Sequence, residues 1–121
     1  MKKEIAEKWV AALRSGEYKQ VKSTLFDGEG YCCLGVLCKV MGRNFVRNNN
    51  YNPKSYIVDG TSSSWMLPPE VKAFAGMRTI NGDLNERDSK TYEDLTLIHL
   101  NDGGESFDHI ADVIEQKWEI L

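Results

Sequence analysis

Three cysteines and two histidines carry the most reactive side chains of this sequence. Cys33 stands where an amphipathic helix is expected to begin, with Cys32 before it and Cys38 five residues further on. A helix N-terminus stabilises a thiolate, so Cys33 is a candidate nucleophile with His99 or His109 as its base. The alternative is that the thiols fill a tight corner of the core, because free cysteine is among the most buried residue types. We adopt the packing interpretation and assign no catalytic residue, which makes a binding protein the expectation rather than an enzyme.

The cysteine spacing does not predict a metal site. Structural zinc sites in proteins combine a C-x-x-C pair with a second pair of ligands. Here two cysteines are adjacent, and both histidines lie more than fifty residues away in the sequence. No metal and no cofactor are therefore expected.

A candidate ligand site is predicted where one C-terminal helix ends and the next begins. Residues 101–104 end the first of these helices and Ser106 starts the second, so free backbone N–H groups would point toward this corner. The segment 18–20 would bring a cation and an amide to the same side, and aromatic side chains in the loops would offer a flat face for stacking. Loop arginines would hold phosphate groups. The predicted ligand-binding residues are Lys19, Gln20, Tyr31, Trp65, Arg78, Asn101, Asp102 and Ser106. The alternative for the aromatic residues is that they cover the edges of a small sheet.

Composition and charge limit the class of protein. The 121 residues are ordinary in their 41% hydrophobic and 27% charged content, which predicts one domain spanning residues 1–121. No apolar run approaches the ~20 residues of a membrane span, and the N-terminal residues do not resemble a signal peptide. An odd number of cysteines does not suit a disulfide framework, so a reduced, cytoplasmic protein is expected.

Duplex nucleic acid is not expected as a partner. The net charge is −3, whereas proteins that bind the phosphate backbone usually present a basic face. The two C-terminal helices resemble the start of a helix-turn-helix unit, but no recognition helix follows them. The last helix also carries four acidic residues against Lys117, so it would repel phosphates.

Apolar spacing and turn residues predict an α+β fold. Five segments have helical character; they are residues 5–13, 34–41, 69–75, 91–100 and 107–118. Gly42 and Gly76 are expected to follow helix ends, Thr91 and Ser106 to cap helix starts, and Phe74 to be buried.

Short strands are predicted between these helices. They are expected at residues 24–26 and 31–33, at 45–46 and 56–58, and on both sides of a tight turn at Asn81 and Gly82. Residues 44–53 form an asparagine-rich loop whose role stays open. The predicted fold is a small, mostly antiparallel sheet packed with helices, with a C-terminal helical hairpin.

Four segments together resemble a family of short, uncharacterised proteins of tailed phages and prophages. They are residues 18–20, residues 31–38 (YCCLGVLC), the LPPEV segment that ends in Ala75 and Gly76, and the LND-G-SF-IA pattern of residues 100–111. The resemblance implies a small phage accessory protein in a bacterial cytoplasm. Proteins of that size and origin often act against host defences, either by sequestering a nucleotide immune signal or by binding a host protein.

The function expected from these observations is counter-defence by binding. The first hypothesis is that the protein sequesters a small nucleotide-like ligand without turning it over. The second is a protein–protein inhibitor or adaptor of a host factor, and the third is a cysteine-dependent hydrolase. The sequence leaves open the identity of the ligand or host partner and whether the chain forms a homo-oligomer.

Overall fold

The computed structural model describes residues 1–49 and 55–121, so part of the asparagine-rich loop lies outside the described residues. Within these ranges the chain forms five helices and four short strands. The helices are α1 (Lys3–Arg14), α2 (Cys33–Val40), α3 (Pro69–Ala75), α4 (Leu97–Asp102) and α5 (Phe107–Lys117). The strands are β1 (Phe45–Arg47), β2 (Tyr56–Val58), β3 (Asp83–Arg87) and β4 (Asp94–Thr96).

Helix α1 confirms the first predicted helix. Its buried residues, Ala6, Trp9, Val10 and Leu13, repeat with the spacing of one helix face. The indole Nε1 of Trp9 donates a hydrogen bond to the carbonyl oxygen of Cys33 at 2.9 Å, which fastens α1 to the start of α2. Arg14 reaches the carboxylates of Asp112 and Glu115 at 2.6 and 2.9 Å, so α1 is also tied to α5.

Helix α2 lies at the centre of the core, with every residue from Cys33 to Cys38 buried. It begins at Cys33, one residue earlier than the apolar spacing predicts. Gly42 follows its end with a left-handed φ of +78°, as expected for a residue after a helix C-terminus.

The prediction of a strand pair before α2 is wrong. An isolated antiparallel bridge between Phe26 and Tyr31 stands in its place. The backbone N–H of Tyr31 donates to the carbonyl of Lys19 at 2.8 Å, and its carbonyl accepts from the N–H of Val21 at 2.9 Å. Because Tyr31 pairs with this earlier segment and Cys33 is already helical, the hairpin does not extend.

The described strands form two separate antiparallel pairs. Strand β1 pairs with β2, with Phe45 opposite Val58. Strand β3 pairs with β4, with Asp83 opposite Thr96, and the register is irregular immediately after Asp83. The α+β class is confirmed, with the strands divided between two small sheets rather than gathered in one.

The helix expected to start at Thr91 begins later than predicted. Residues 94–96 are strand β4, in which Leu95 lies opposite Glu86. Thr96 is the residue that caps α4, because its hydroxyl accepts a hydrogen bond from the N–H of His99 at 2.9 Å. A threonine two residues ahead of the buried Ile98 suits this role, whereas Thr91 lies in the turn between the strands.

Two smaller predictions are also wrong. Asn81 and Gly82 do not connect a hairpin, because the carbonyl of Ile80 accepts from the N–H of Leu67 while β3 pairs with β4. Phe74 is 65% exposed rather than buried, since Val71 and Ala75 form the inner face of α3.

Helices α4 and α5 form the predicted C-terminal helical hairpin. Gly103 and Gly104 provide the turn, and the Ser106 hydroxyl accepts from the N–H of His109 at 3.1 Å to cap α5. None of the described helices combines the length with the hydrophobicity that a membrane crossing requires.

Candidate ligand-binding site

The predicted corner at the start of α5 exists, and the side chain of Gln20 fills it. The amide nitrogen of Gln20 donates to Oδ1 of Asn101 at 2.9 Å and to the carbonyl of Glu105 at 2.8 Å. Its amide oxygen accepts from the N–H of Phe107, the first residue of α5, at 3.1 Å. Gln20 therefore supplies within the protein one of the contacts that an anion at this helix terminus would receive.

Asn101 is the buried centre of the same corner, with none of its surface exposed. Its Oδ1 also accepts from the N–H of Cys33 at 3.2 Å, and its Nδ2 donates to the carbonyl of Val21 at 2.8 Å. One side chain thus joins α4, the start of α2 and the segment before Phe26. These contacts occupy the polar atoms of Asn101, which supports a structural role.

Asp102 and Ser106 lie beside this corner. Asp102 Oδ1 accepts from the N–H of Ser23 at 2.9 Å and from Nδ2 of Asn101 at 3.2 Å. Ser23 has a left-handed φ of +64°, a conformation that residues with a side chain seldom adopt. No described hydrogen bond uses the second carboxylate oxygen of Asp102, and this residue also lines the cavity described below.

Lys19 and Tyr31 lie on the outer side of the corner. The Lys19 ammonium is exposed and lies 3.4 Å from a carboxylate oxygen of Glu29. The ring of Tyr31 stacks on Phe26 with 4.6 Å between ring centroids and meets Tyr18 edge to face at 5.3 Å. Burial in this cluster raises the pKa of Tyr31. Tyr31 is therefore part of an aromatic cluster, and its role as a ligand contact stays a prediction.

The fold does not bring Arg78 into contact with the other predicted ligand-binding residues. Its guanidinium donates to the carbonyl of Ile120 at 3.1 Å and to the carbonyl of Asp83 at 2.7 Å. Another arginine, Arg47 of β1, lies over the ring of Tyr56 in β2, with its guanidinium carbon 6.0 Å from the ring centroid.

An open cavity of about 490 Å³ adjoins the corner and contains two of the predicted residues, Trp65 and Asp102. The full lining is Trp65, Met66, Asn81, Glu93, Asp94, Thr96, Ile98, His99, Asp102 and Gly103. The indole of Trp65 is a large aromatic surface that remains about half exposed, at 48%. We refer to this space as the Trp65 cavity.

The Trp65 cavity is acidic. Glu93, Asp94 and Asp102 contribute carboxylates, and its described lining residues include no lysine or arginine. The indole of Trp65 and the side chains of Met66 and Ile98 contribute apolar surface, and the other lining residues are Asn81, Thr96, His99 and Gly103. The cavity therefore combines a stacking face with hydrogen-bond acceptors.

His99 was predicted to face inward from its helix and was a candidate base for Cys33, and the structure places it in the wall of the Trp65 cavity. Its Nε2 lies 3.1 Å from Oδ2 of Asp88, and its Nδ1 lies 3.6 Å from a carboxylate oxygen of Glu93. Asp88 also accepts from the N–H groups of Lys90 and Thr91. These backbone hydrogen bonds, followed by that of His99, lower the pKa of Asp88 to about 2.

We expect the Asp88 contacts to make stability depend on pH in the acid range. The pKa of Asp88 is lower in the folded protein, at about 2, than its ordinary value of 3.8, so the ionised carboxylate favours the folded state. This contribution is complete above a pH of about 4 and is lost as the pH falls toward 2. In thermal melts, Asp88→Asn should melt below the wild type at pH 7, and the difference should shrink at acid pH.

Asp59→Asn is the matched control, because the Asp59 side chain makes no hydrogen bond with the described residues. Its melting temperature should differ little from that of the wild type at every pH. An Asp88→Asn deficit that stays constant between pH 7 and pH 2 would contradict the assignment.

The cysteine thiols are buried, which weighs against a nucleophile. Cys33 has no exposed surface, and its Sγ lies 3.5 Å from the carbonyl oxygen of Leu97. Burial raises the pKa of Cys33 well above its ordinary value, that of Cys32 to about 11 and that of Cys38 to about 12. A nucleophile requires the thiolate, and these environments favour the protonated thiol.

A second cavity, of about 480 Å³, lies between α1 and α5. Its walls include Val10 and Trp118, and its rim carries both acidic and basic side chains, among them Arg14. The guanidinium of Arg14 is already paired with two carboxylates of α5. This cavity contains none of the predicted ligand-binding residues.

Among residues 1–49 and 55–121, no group of three or more histidine, cysteine or acidic side chains is arranged to hold a metal ion.

Comparison with known proteins identifies the family. Residues 1–118 match the family described as "Domain of unknown function (DUF8296)". The chain belongs to this family. No curated protein and no solved structure matches the chain significantly. The family description assigns no activity.

Proposed function

We propose that this protein binds a small nucleotide-like ligand in the Trp65 cavity and sequesters it without turnover. The observation that carries the proposal is the exposed indole of Trp65 in a cavity of about 490 Å³. Ligand pockets commonly have volumes of roughly 300–1,000 Å³ and combine an apolar surface with a few polar groups. Nucleobases stack on aromatic side chains in this way, with about 1–3 kcal/mol per base.

The charge of the cavity indicates which part of the ligand enters. Carboxylate oxygens accept hydrogen bonds from the exocyclic amino groups of adenine, guanine and cytosine. A phosphate placed 4 Å from one of these carboxylates would be repelled by about 4 kcal/mol at an effective dielectric constant of 20. The nucleobase therefore occupies the cavity, and any phosphate groups lie outside it. This arrangement differs from the anion site predicted at the start of α5, whose donors are used by Gln20 and Ser106.

The biological role belongs to the same proposal. The resemblance to small phage and prophage proteins supports a counter-defence role in a bacterial cytoplasm, in which the ligand is a nucleotide immune signal. The absence of turnover is supported by the buried, protonated state favoured for Cys33. Its candidate base His99 is engaged with Asp88, and the other candidate, His109, is half exposed with its Nε2 3.8 Å from Glu105.

Calorimetric titration tests the proposal directly. We expect the purified protein to bind at least one of adenosine, guanosine and cytidine, and to bind that nucleoside no more weakly than its 5′-monophosphate. Trp65→Ala should weaken binding by about 10- to 100-fold, because it removes about 1–3 kcal/mol of stacking. Phe74→Ala is the matched control, since Phe74 is also an exposed aromatic side chain but lies outside the cavity.

Three results would contradict the proposal. One is the absence of binding to any of these probes together with failure to remove a compound absorbing in the nucleobase band from a bacterial lysate. Another is equal loss of binding in Trp65→Ala and Phe74→Ala. The last is a strong preference for the monophosphate, which would place the ligand in a basic site instead of the Trp65 cavity.

A protein partner is the second candidate function, favoured by the surface of α3. Phe74 is 65% exposed, and with Met41, Arg43 and Val71 it lines a shallow cleft of about 180 Å³. Aromatic side chains are enriched at protein interfaces. Co-purification of a host protein that Phe74→Asp abolishes and Trp65→Ala preserves would support this candidate over ligand binding.

A further inference from the structure

The imidazole of His99 lies between two carboxylates at the wall of the Trp65 cavity. Its Nε2 is 3.1 Å from Oδ2 of Asp88, and its Nδ1 is 3.6 Å from Oε2 of Glu93. His99 and Glu93 both line the cavity, whereas Asp88 is not among the described lining residues. The side chains of His99 and Asp88 are 26% and 25% exposed, and that of Glu93 is 69% exposed. Glu93 is therefore the member of this group that a ligand in the cavity can most easily reach.

The two ring nitrogens serve both carboxylates only when His99 is protonated. A neutral imidazole carries one N–H group, and a protonated imidazole carries two. In the neutral ring, the N–H at Nε2 donates to Asp88, the nearer carboxylate, and Nδ1 presents a lone pair toward Glu93. Protonation places an N–H group on Nδ1, which attracts the carboxylate of Glu93. The contact of His99 with Glu93 therefore depends on this proton, whereas the contact with Asp88 does not.

The other titratable groups near His99 do not remove this difference. Asp88 stays ionised above a pH of about 4, because its pKa is about 2. Asp94 of β4 and Asp102 of α4 share the cavity lining and add negative charge to it. From α2, Cys33 contacts α4 through a buried thiol whose raised pKa keeps it protonated. Among residues 1–49 and 55–121, the ion pairs of His99 are the two given above.

We infer that Glu93 accepts a hydrogen bond from an amino group of the bound nucleobase, and that protonation of His99 draws Glu93 away from this contact. This inference rests on the proposed function and names one of its hydrogen-bond acceptors. The ligand and the protonated imidazole compete for the same carboxylate, so the ligand binds more tightly when His99 is neutral. By linkage, binding of the ligand releases protons from the protein. The affinity therefore rises between pH 5 and pH 8, the interval in which histidine side chains commonly lose their charge.

Calorimetric titrations at pH 5 and pH 8 test the inference, with adenosine, guanosine and cytidine as probes. The nucleoside that binds should bind about 2- to 5-fold more tightly at pH 8, which is the effect of competition with one exposed ion pair. In His99→Gln the affinity should be the same at both pH values, because glutamine keeps an N–H donor for Asp88 but takes up no proton. His109→Gln is the matched control and should keep the wild-type pH dependence, since His109 pairs with Glu105 at 3.8 Å and lies outside the cavity.

Glu93→Gln provides a second variant that does not depend on the stability of the His99 contacts. The Glu93 side chain is largely exposed, so its substitution should leave the fold intact. This variant should bind the nucleoside more weakly than the wild type at pH 8, with the same affinity at pH 5. For the wild type, titrations in buffers of different ionisation enthalpy should show that protons are released on binding.

The outcomes separate the inference from the proposed function. If the wild type binds a nucleoside with the same affinity at pH 5 and pH 8, the inference is overturned while the proposed function stands. The same holds if His99→Gln keeps the wild-type pH dependence, or if Glu93→Gln binds as tightly as the wild type at pH 8. If the wild type binds none of the three nucleosides, the proposed function has failed for these probes, and the inference fails with it.

Discussion

Gly35→Ala is expected to destabilise the fold strongly, although alanine is the better helix former. In an exposed helix this change would stabilise the protein by about 1 kcal/mol. At Gly35 an added Cβ would lie 2.0 Å from the carbonyl oxygen of Leu25 and 2.9 Å from its carbonyl carbon. These are backbone atoms, and that same oxygen accepts from the N–H of Cys32 at 3.1 Å. The segment around Leu25 and helix α2 must therefore move apart. We expect this to lower the free energy of unfolding by roughly 3 kcal/mol or more.

Circular dichroism and urea denaturation of the purified variant measure this effect. Gly42→Ala is the matched control, because nothing lies within 4 Å of its added Cβ and the cost is limited to the left-handed φ of +78°. That cost is about 1 kcal/mol. A Gly35→Ala variant as stable as the wild type would mean that Leu25 and α2 are not in contact as described.

Asn101→Ala is expected to lower the free energy of unfolding by about 3 kcal/mol or more, because it leaves several buried polar groups without partners. The N–H of Cys33, the carbonyl of Val21 and one donor of Gln20 each lose a hydrogen bond. Each unsatisfied buried group costs about 1–3 kcal/mol, and the alanine leaves a cavity in addition. Thermal and urea denaturation should both show the loss.

Asn44→Ala is the control for this substitution. Asn44 is exposed, and its side-chain oxygen accepts from Lys39 at 3.3 Å, so its loss should change the free energy of unfolding by no more than about 0.5 kcal/mol. The experiment also separates two roles of Asn101. A variant that keeps wild-type stability but loses nucleoside binding would return Asn101 to the ligand site predicted from the sequence.

Periodic segments of this chain were predictable because their apolar spacing matches the helix they form. Helices α1 and α5 each bury residues three and four positions apart. Gly42 and Gly76 both follow a helix end with a positive φ, as glycine after a helix commonly does. The strands at 45–47 and 56–58 also lie where they were predicted. These features depend on local sequence.

The site was less predictable because it depends on contacts between distant segments. The sequence placed Gln20 and Asn101 at one corner, but it could not show that their amides bond to each other. Trp65 and Asp102 were predicted as ligand contacts and share a cavity, and their role stays a prediction. The same cavity also contains His99, Glu93 and Asp94, because β4 leads directly into α4. The sequence predicted that helix to begin at Thr91, so these residues were not placed at the site.

The contacts between the two ends of the chain have a consequence for folding. Arg14 and Asp112 are 98 positions apart, and Gln20 and Asn101 are 81 positions apart. The buried corner at the start of α2 is complete only after α4 and α5 have formed, so residues up to α5 must leave the ribosome before this core can close. Long-range closure of this kind slows folding relative to helical proteins of similar size. Until then α2 has α1 as a partner but lacks α4, and apolar surface left exposed in this way favours aggregation of newly synthesised chains.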